Sequence, residues 1–125
     1  MTENELSNII IGEAINVHKQ LGPGLLESVY EMCLVHRLIK TGLYVERQKP
    51  IPLVFEDIKL ECGFRCDIMV EGKLILEVKA VEALNEVHLA QVLTYLKLTG
   101  IKLGLLMNFN VVRMKDGIRR VVNNL

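Results

Sequence analysis

Two alternating segments joined by Glu71-Gly72 occupy the middle of the sequence, Arg65-Cys66-Asp67-Ile68-Met69-Val70 and Leu74-Ile75-Leu76-Glu77-Val78-Lys79-Ala80. Successive side chains of a strand point to opposite faces. Cys66, Ile68 and Val70 therefore share one face of the first segment, with Arg65, Asp67 and Met69 on the other. The second segment sorts in the same way, into Leu74, Leu76, Val78 and Ala80 against Ile75, Glu77 and Lys79. A one-residue change of register sends a whole side-chain set to the wrong face. A two-residue loop at Glu71-Gly72 would pair Cys66 with Glu77 and bury that acid. A three-residue loop, Val70-Glu71-Gly72 with Gly72 in the left-handed region, pairs Ile68 with Leu74, Cys66 with Leu76 and Phe64 with Val78. This register predicts Asp67 opposite Ile75 and Arg65 opposite Glu77, with Asp67, Glu77 and Lys79 gathered on one face of the hairpin.

The flanking sequence predicts two helices before this hairpin and another after it. Thr2 and Glu5 form a capping-box pattern, followed by apolar residues at helical spacing, so a helix is expected over residues 4–20. Gly22-Pro23-Gly24 breaks it, and a second helix should run over 25–41 to a stop at Gly42. Strands are expected over 44–55, 58–70 and 73–81, a third helix over 85–99 and a buried strand over 102–109. The tail, Val111 to Met114 and Ile118 to Val122 about Asp116-Gly117, reads as a terminal hairpin. The order is α-α-β-β-β-α-β-β-β, an α/β (α+β) domain with helices against a mixed sheet. At 125 residues, half of them apolar, the chain fits one domain, 1–125, with a single core.

Composition excludes several classes of function. No apolar run approaches the roughly 20 residues of a membrane span, and Met1-Thr2-Glu3-Asn4-Glu5 lacks a basic leader start. A cytoplasmic protein without a membrane partner is expected. Three cysteines, Cys33, Cys62 and Cys66, fit reduced buried thiols, although Cys62 and Cys66 also have a spacing that zinc could use. Acids and bases number 15 each, so binding of nucleic acid by overall charge is not expected. From Lys97 onward, however, six basic residues face one acid, a local balance of +5. Lys102, Arg113, Lys115, Arg119 and Arg120 are accordingly candidate phosphate contacts, or else a solvated face.

Two converging carboxylates are costly without a cation, and hard oxygen ligands suit Mg²⁺ or Mn²⁺. A lysine two residues beyond the second acid could orient or deprotonate a water, or stabilise charge on a transferring phosphoryl group. The same residues could equally line a wet sheet face as cross-strand ion pairs. Asp67 with Glu77-Val78-Lys79 resembles the signature of the PD-(D/E)XK nuclease superfamily, with Cys66 where that name has proline. A narrower likeness is to its GxxExxY family, carried by Gly24-Leu25-Leu26-Glu27-Ser28-Val29-Tyr30. His18, Leu21-Gly22-Pro23-Gly24, Gln48-Lys49-Pro50, Gly63-Phe64-Arg65-Cys66-Asp67, Gln91, Tyr95-Leu96 and Asn108-Phe109 extend the agreement.

The resemblance implies a restriction-endonuclease-like sheet and adds Glu27 to the site as a further metal ligand beside Asp67 and Glu77. It also implies that Gln91 and Tyr95, four apart on one helical face, act with Lys79 in catalysis. His18, Arg65 and His88 stand as secondary candidates. The expected function is Mg²⁺-dependent hydrolysis of DNA or RNA, and a chain this small would need a second copy to cut both strands of a duplex. The alternatives are a catalytically silent nuclease-fold binding or regulatory module, or a zinc-binding domain through Cys62 and Cys66.

Overall fold

The computed structural model describes residues 1–61 and 63–125. Helix α1, Glu3–Leu21, begins where the sequence says it should. The Thr2 hydroxyl accepts from the Glu5 N–H and the Glu5 carboxylate accepts from the Thr2 N–H, satisfying donors that the first turn leaves free. Its buried stripe is Leu6, Ile10, Ala14 and Val17, and Gly22, at φ 69°, ends it. Helix α2, Glu27–Lys40, has no side-chain cap, and α3, Glu86–Thr99, is capped by Asn85.

Strands β1 (Val45–Pro50), β4 (Arg65–Val70), β5 (Leu74–Lys79), β6 (Leu103–Asn108) and β7 (Ile118–Val122) form one sheet, in the order β1-β4-β5-β6-β7. Among the described residues only β5 and β6 run parallel, with α3 as their crossover. The two long segments expected over 44–55 and 58–70 each divide, leaving β2 (Leu53–Phe55) and β3 (Ile58–Leu60) as a separate two-stranded ribbon. α1 and α2 cover one face, over Ile68, Val70, Leu74, Leu76, Val78, Leu103 and Leu105. α3 covers the other, over Met69, Ile75 and Leu106. The mixed sheet between helices and the order of helices and strands are those expected from the sequence.

Three finer expectations change. The hairpin loop has three residues, but they are Glu71, Gly72 and Lys73, and the pairs are Ile68 with Leu76, Met69 with Ile75 and Val70 with Leu74. The register is thus two residues from the expected one, and it takes Arg65 off Glu77. Carried one rung further, it sets Asp67 directly against Glu77. Second, Cys66 joins Met69 and Ile75 beneath α3 instead of following Ile68. The alternation shifts because the Gln48–Asp67 rung is missing from the β1–β4 ladder and Gln48 stands at φ 53°. Third, residues 111–114 form no hairpin strand: Met114–Gly117 is a 3-10 turn, and β7 pairs with β6. A zinc site through Cys62 falls outside the described residues.

Candidate active site

The open end of the β4–β5 hairpin holds the acids. Where the ladder should continue, side chains take the place of backbone partners. The Asp67 N–H donates to Glu77 Oε2 at 2.7 Å and the Val78 N–H to Asp67 Oδ2 at 2.8 Å. The strands are wedged apart by their own carboxylates, which become tightly held. Glu77 is only 3% exposed. Burial, then the Asp67 charge, pushes its carboxyl up to about 8, although the Asp67 N–H and the Lys79 ammonium oppose the rise. Asp67 is also raised, by burial above all, against the pull of the Val78 N–H, Lys79 and Gln48.

The loop and first turn of α2 deliver Glu27. Tyr30 is fully buried, stacks on Phe109 at 4.6 Å, donates its hydroxyl to the Gly22 carbonyl at 2.6 Å and accepts from the Leu25 N–H at 3.1 Å. The tyrosine of the Gly-x-x-Glu-x-x-Tyr segment therefore buckles the Gly22–Leu25 turn, and Glu27 reaches the Ala80 N–H at 3.2 Å, just past the end of β5. Lys79 is the last residue of that strand. Its exit is fixed on the neighbouring strand: Phe109 N–H donates to the Lys79 carbonyl, and the Asn108 amide bonds both polar groups of the Val81 backbone.

On the opposite side of the sheet, Tyr95 is buried edge-on to Phe64, with ring centroids 5.9 Å apart. Burial and then the Glu77 and Asp67 charges hold its phenol up at about 12, so it remains a neutral donor beside the acids. Gln91, one turn earlier on α3, is exposed. Cys66 is pushed to about 12 by burial and the same two carboxylates, which keeps it an inert thiol.

Two of the secondary candidates, His18 and His88, bond backbone groups. His18 Nε2 meets the Val111 carbonyl at 2.8 Å and fixes the loop after β6. His88 serves the α3 cap, its N–H donating to Asn85 Oδ1 and its Nδ1 accepting from the Asn85 N–H. Arg65 is exposed at the start of β4. Lys102, Arg113, Lys115, Arg119 and Arg120 are all exposed but scattered. Lys102 precedes β6 at the end of the sheet away from Lys79, and Arg120 bonds the Asn4 side chain on the α1 side.

Sequence reasoning missed Glu31. It is 5% exposed, accepts from Arg47 Nε at 2.5 Å and from Gln48 Nε2 at 2.8 Å, and is raised by burial and by Asp67. Its position four residues after Glu27, on the same face of α2, was the available signal.

Among the described residues, no group of three or more His, Cys, Asp and Glu side chains gathers into a cage for a metal ion. The donor set at Asp67 and Glu77 nevertheless suits Mg²⁺, which binds through one or two carboxylates and keeps several waters. Buried Glu77 and half-buried Asp67, side by side, also resist joint ionisation until a cation joins them.

A family model described as the PD-(D/E)XK nuclease superfamily matches residues 4–121, nearly the whole chain. The chain belongs to the PD-(D/E)XK nuclease superfamily. No match is found among curated proteins or among solved structures. Members of this superfamily generally depend on divalent metals and act on nucleic acid, so membership supports a nuclease-like function. Among the described residues no helix is long and apolar enough to cross a membrane.

Proposed function

We propose that this chain is a Mg²⁺-dependent nuclease of the GxxExxY type, hydrolysing phosphodiester bonds of DNA or RNA in the cytoplasm. The observation that carries the proposal is the pairing of buried Glu77 with half-buried Asp67 at the parted strand ends, with the Lys79 charge acting on both. A divalent cation bound there would supply Lewis-acid charge and acidify a water. Asp67 and Glu77 would hold it, with Glu27 contributing from α2. Lys79, anchored through its backbone to β6, orients the attacking water and balances charge developing on the phosphoryl oxygens. Tyr95 offers a neutral hydroxyl, and exposed Gln91 a side-chain amide, to position water or phosphate. Cutting both strands of a duplex would take two copies of the chain.

A second reading, a catalytically silent nuclease-fold module, is favoured by one observation: Asp67, Glu77, Glu27 and Glu31 each already accept hydrogen bonds from protein donors. Thermal melting with and without Mg²⁺, together with cleavage assays on single- and double-stranded DNA and RNA, separates the two. The nuclease should gain several degrees with Mg²⁺ through linkage, lose that gain in Asp67→Asn, and lose cleavage in Glu77→Ala. A silent module should show no cleavage and no Mg²⁺-dependent rise.

A further inference from the structure

Gln48 is a non-glycine residue held at φ 53° in the middle of β1. Side chains rarely adopt this conformation, and it persists only where surroundings impose it. Its place is specific. Arg47 pairs with Ile68 and Lys49 with Cys66, but the rung between them, Gln48 with Asp67, is absent from the ladder. What the backbone gives up, the side chain takes over. Gln48 Nε2 donates to Glu31 Oε1 at 2.8 Å and reaches Asp67 Oδ1 at 3.3 Å. Glu31, buried in α2, is fixed through its other oxygen by Arg47. The amide is thus tied to one helix and aimed at the acid that the Val78 N–H holds from the opposite side.

We propose that Gln48 is a positioning residue for Asp67, with its strained backbone and its tether to Glu31 serving to fix the rotamer of that carboxylate. The inference deepens the nuclease reading and rests on it for the role of Asp67. An amide suits this role because it can donate to two carboxylates at once without adding a charge that would compete with a bound cation.

The variants Gln48→Gly and Gln48→Asn both tolerate the left-handed conformation, so the fold should survive, with relief of backbone strain in glycine offsetting part of the hydrogen bonding lost at Glu31. Glycine removes the amide and asparagine shortens its reach. Without metal, exchange of the Val78 N–H should quicken on the order of tenfold in both variants, while amides of β6 keep their protection. In calorimetric titration with Mn²⁺ alone, affinity should fall roughly tenfold, the usual effect of removing a group that orients a ligand. Unchanged Val78 exchange in both variants overturns the proposal, as does a general loss of protection, which would mark Gln48 as a structural residue only. If the parent protein takes up no Mn²⁺, the nuclease reading fails, while Val78 exchange still decides the role of Gln48.

Discussion

The acid pair makes stability depend on pH in a direction opposite to that of most buried, salt-bridged carboxylates. Glu77 has an ordinary value of 4.5 and is raised to about 8 in the fold. Between these values the folded chain keeps a proton that the unfolded chain has lost, so stability falls as pH rises. Below that window the group is protonated in both states and costs nothing. Glu77→Gln preserves an oxygen to accept from the Asp67 N–H but cannot ionise. In chelator, urea unfolding should show the variant level with the parent near pH 4.5 and more stable by roughly 2–4 kcal/mol above pH 8. A difference that does not vary with pH would rule this out. Asp67 and Glu77 were legible as neighbours because alternation puts each in the charged set of its segment, although the shift in alternation at Cys66 was not. Nor was their rung: apolar faces match equally well when a hairpin slips by two residues, and nothing in the pattern separates Ile68–Leu74 from Ile68–Leu76. Glu31 escaped notice because its importance arises from Arg47 and Gln48, residues on a strand distant in sequence.

Close approach of α3 to the sheet sets where Tyr95 sits. Gly104 of β6 makes it possible: a Cβ there would stand 2.6 Å from Val92 Cγ1, and valine on a helix has little rotamer freedom to retreat. Gly104→Ala should therefore cost about 1–3 kcal/mol in urea unfolding, and adding Val92→Ala should recover part of the loss through a coupling of the two sites. Strictly additive effects would mean that the helix is held off by something else. The helices were readable from their ends, since Thr2–Glu5, Asn85, Gly22 and Gly100 declare local hydrogen-bonding needs that tertiary structure did not override. The tail was not. Residues 118–122 are strand-like in pattern, but their partner is β6 rather than the neighbouring 111–114, and pattern alone does not name a partner.

Charge is distributed over the whole molecule in a way the local balance of +5 does not convey. Lys102 lies about 20 Å from the site end of β6, given the rise of a six-residue strand. Arg113 and Lys115 instead follow β6 at the end where Lys79 stands. Binding of nucleic acid should therefore survive Lys102→Ala unchanged, while Arg113→Ala should weaken it and flatten the slope of log affinity against log salt by about 1. Equal effects of the two substitutions would restore the idea of one continuous basic face. The parted rung at Asp67 and Glu77 has a practical consequence as well. The chain gives up a stretch of regular sheet, and with it stability, at the one place where its proposed chemistry occurs, a trade often seen between activity and robustness. Combining Asp67→Asn with Glu77→Gln removes the charges while keeping the side-chain shapes that hold the strands apart. The result would be a hardier, non-cutting twin of this protein, a bait that could hold its natural substrate long enough for it to be recovered and sequenced.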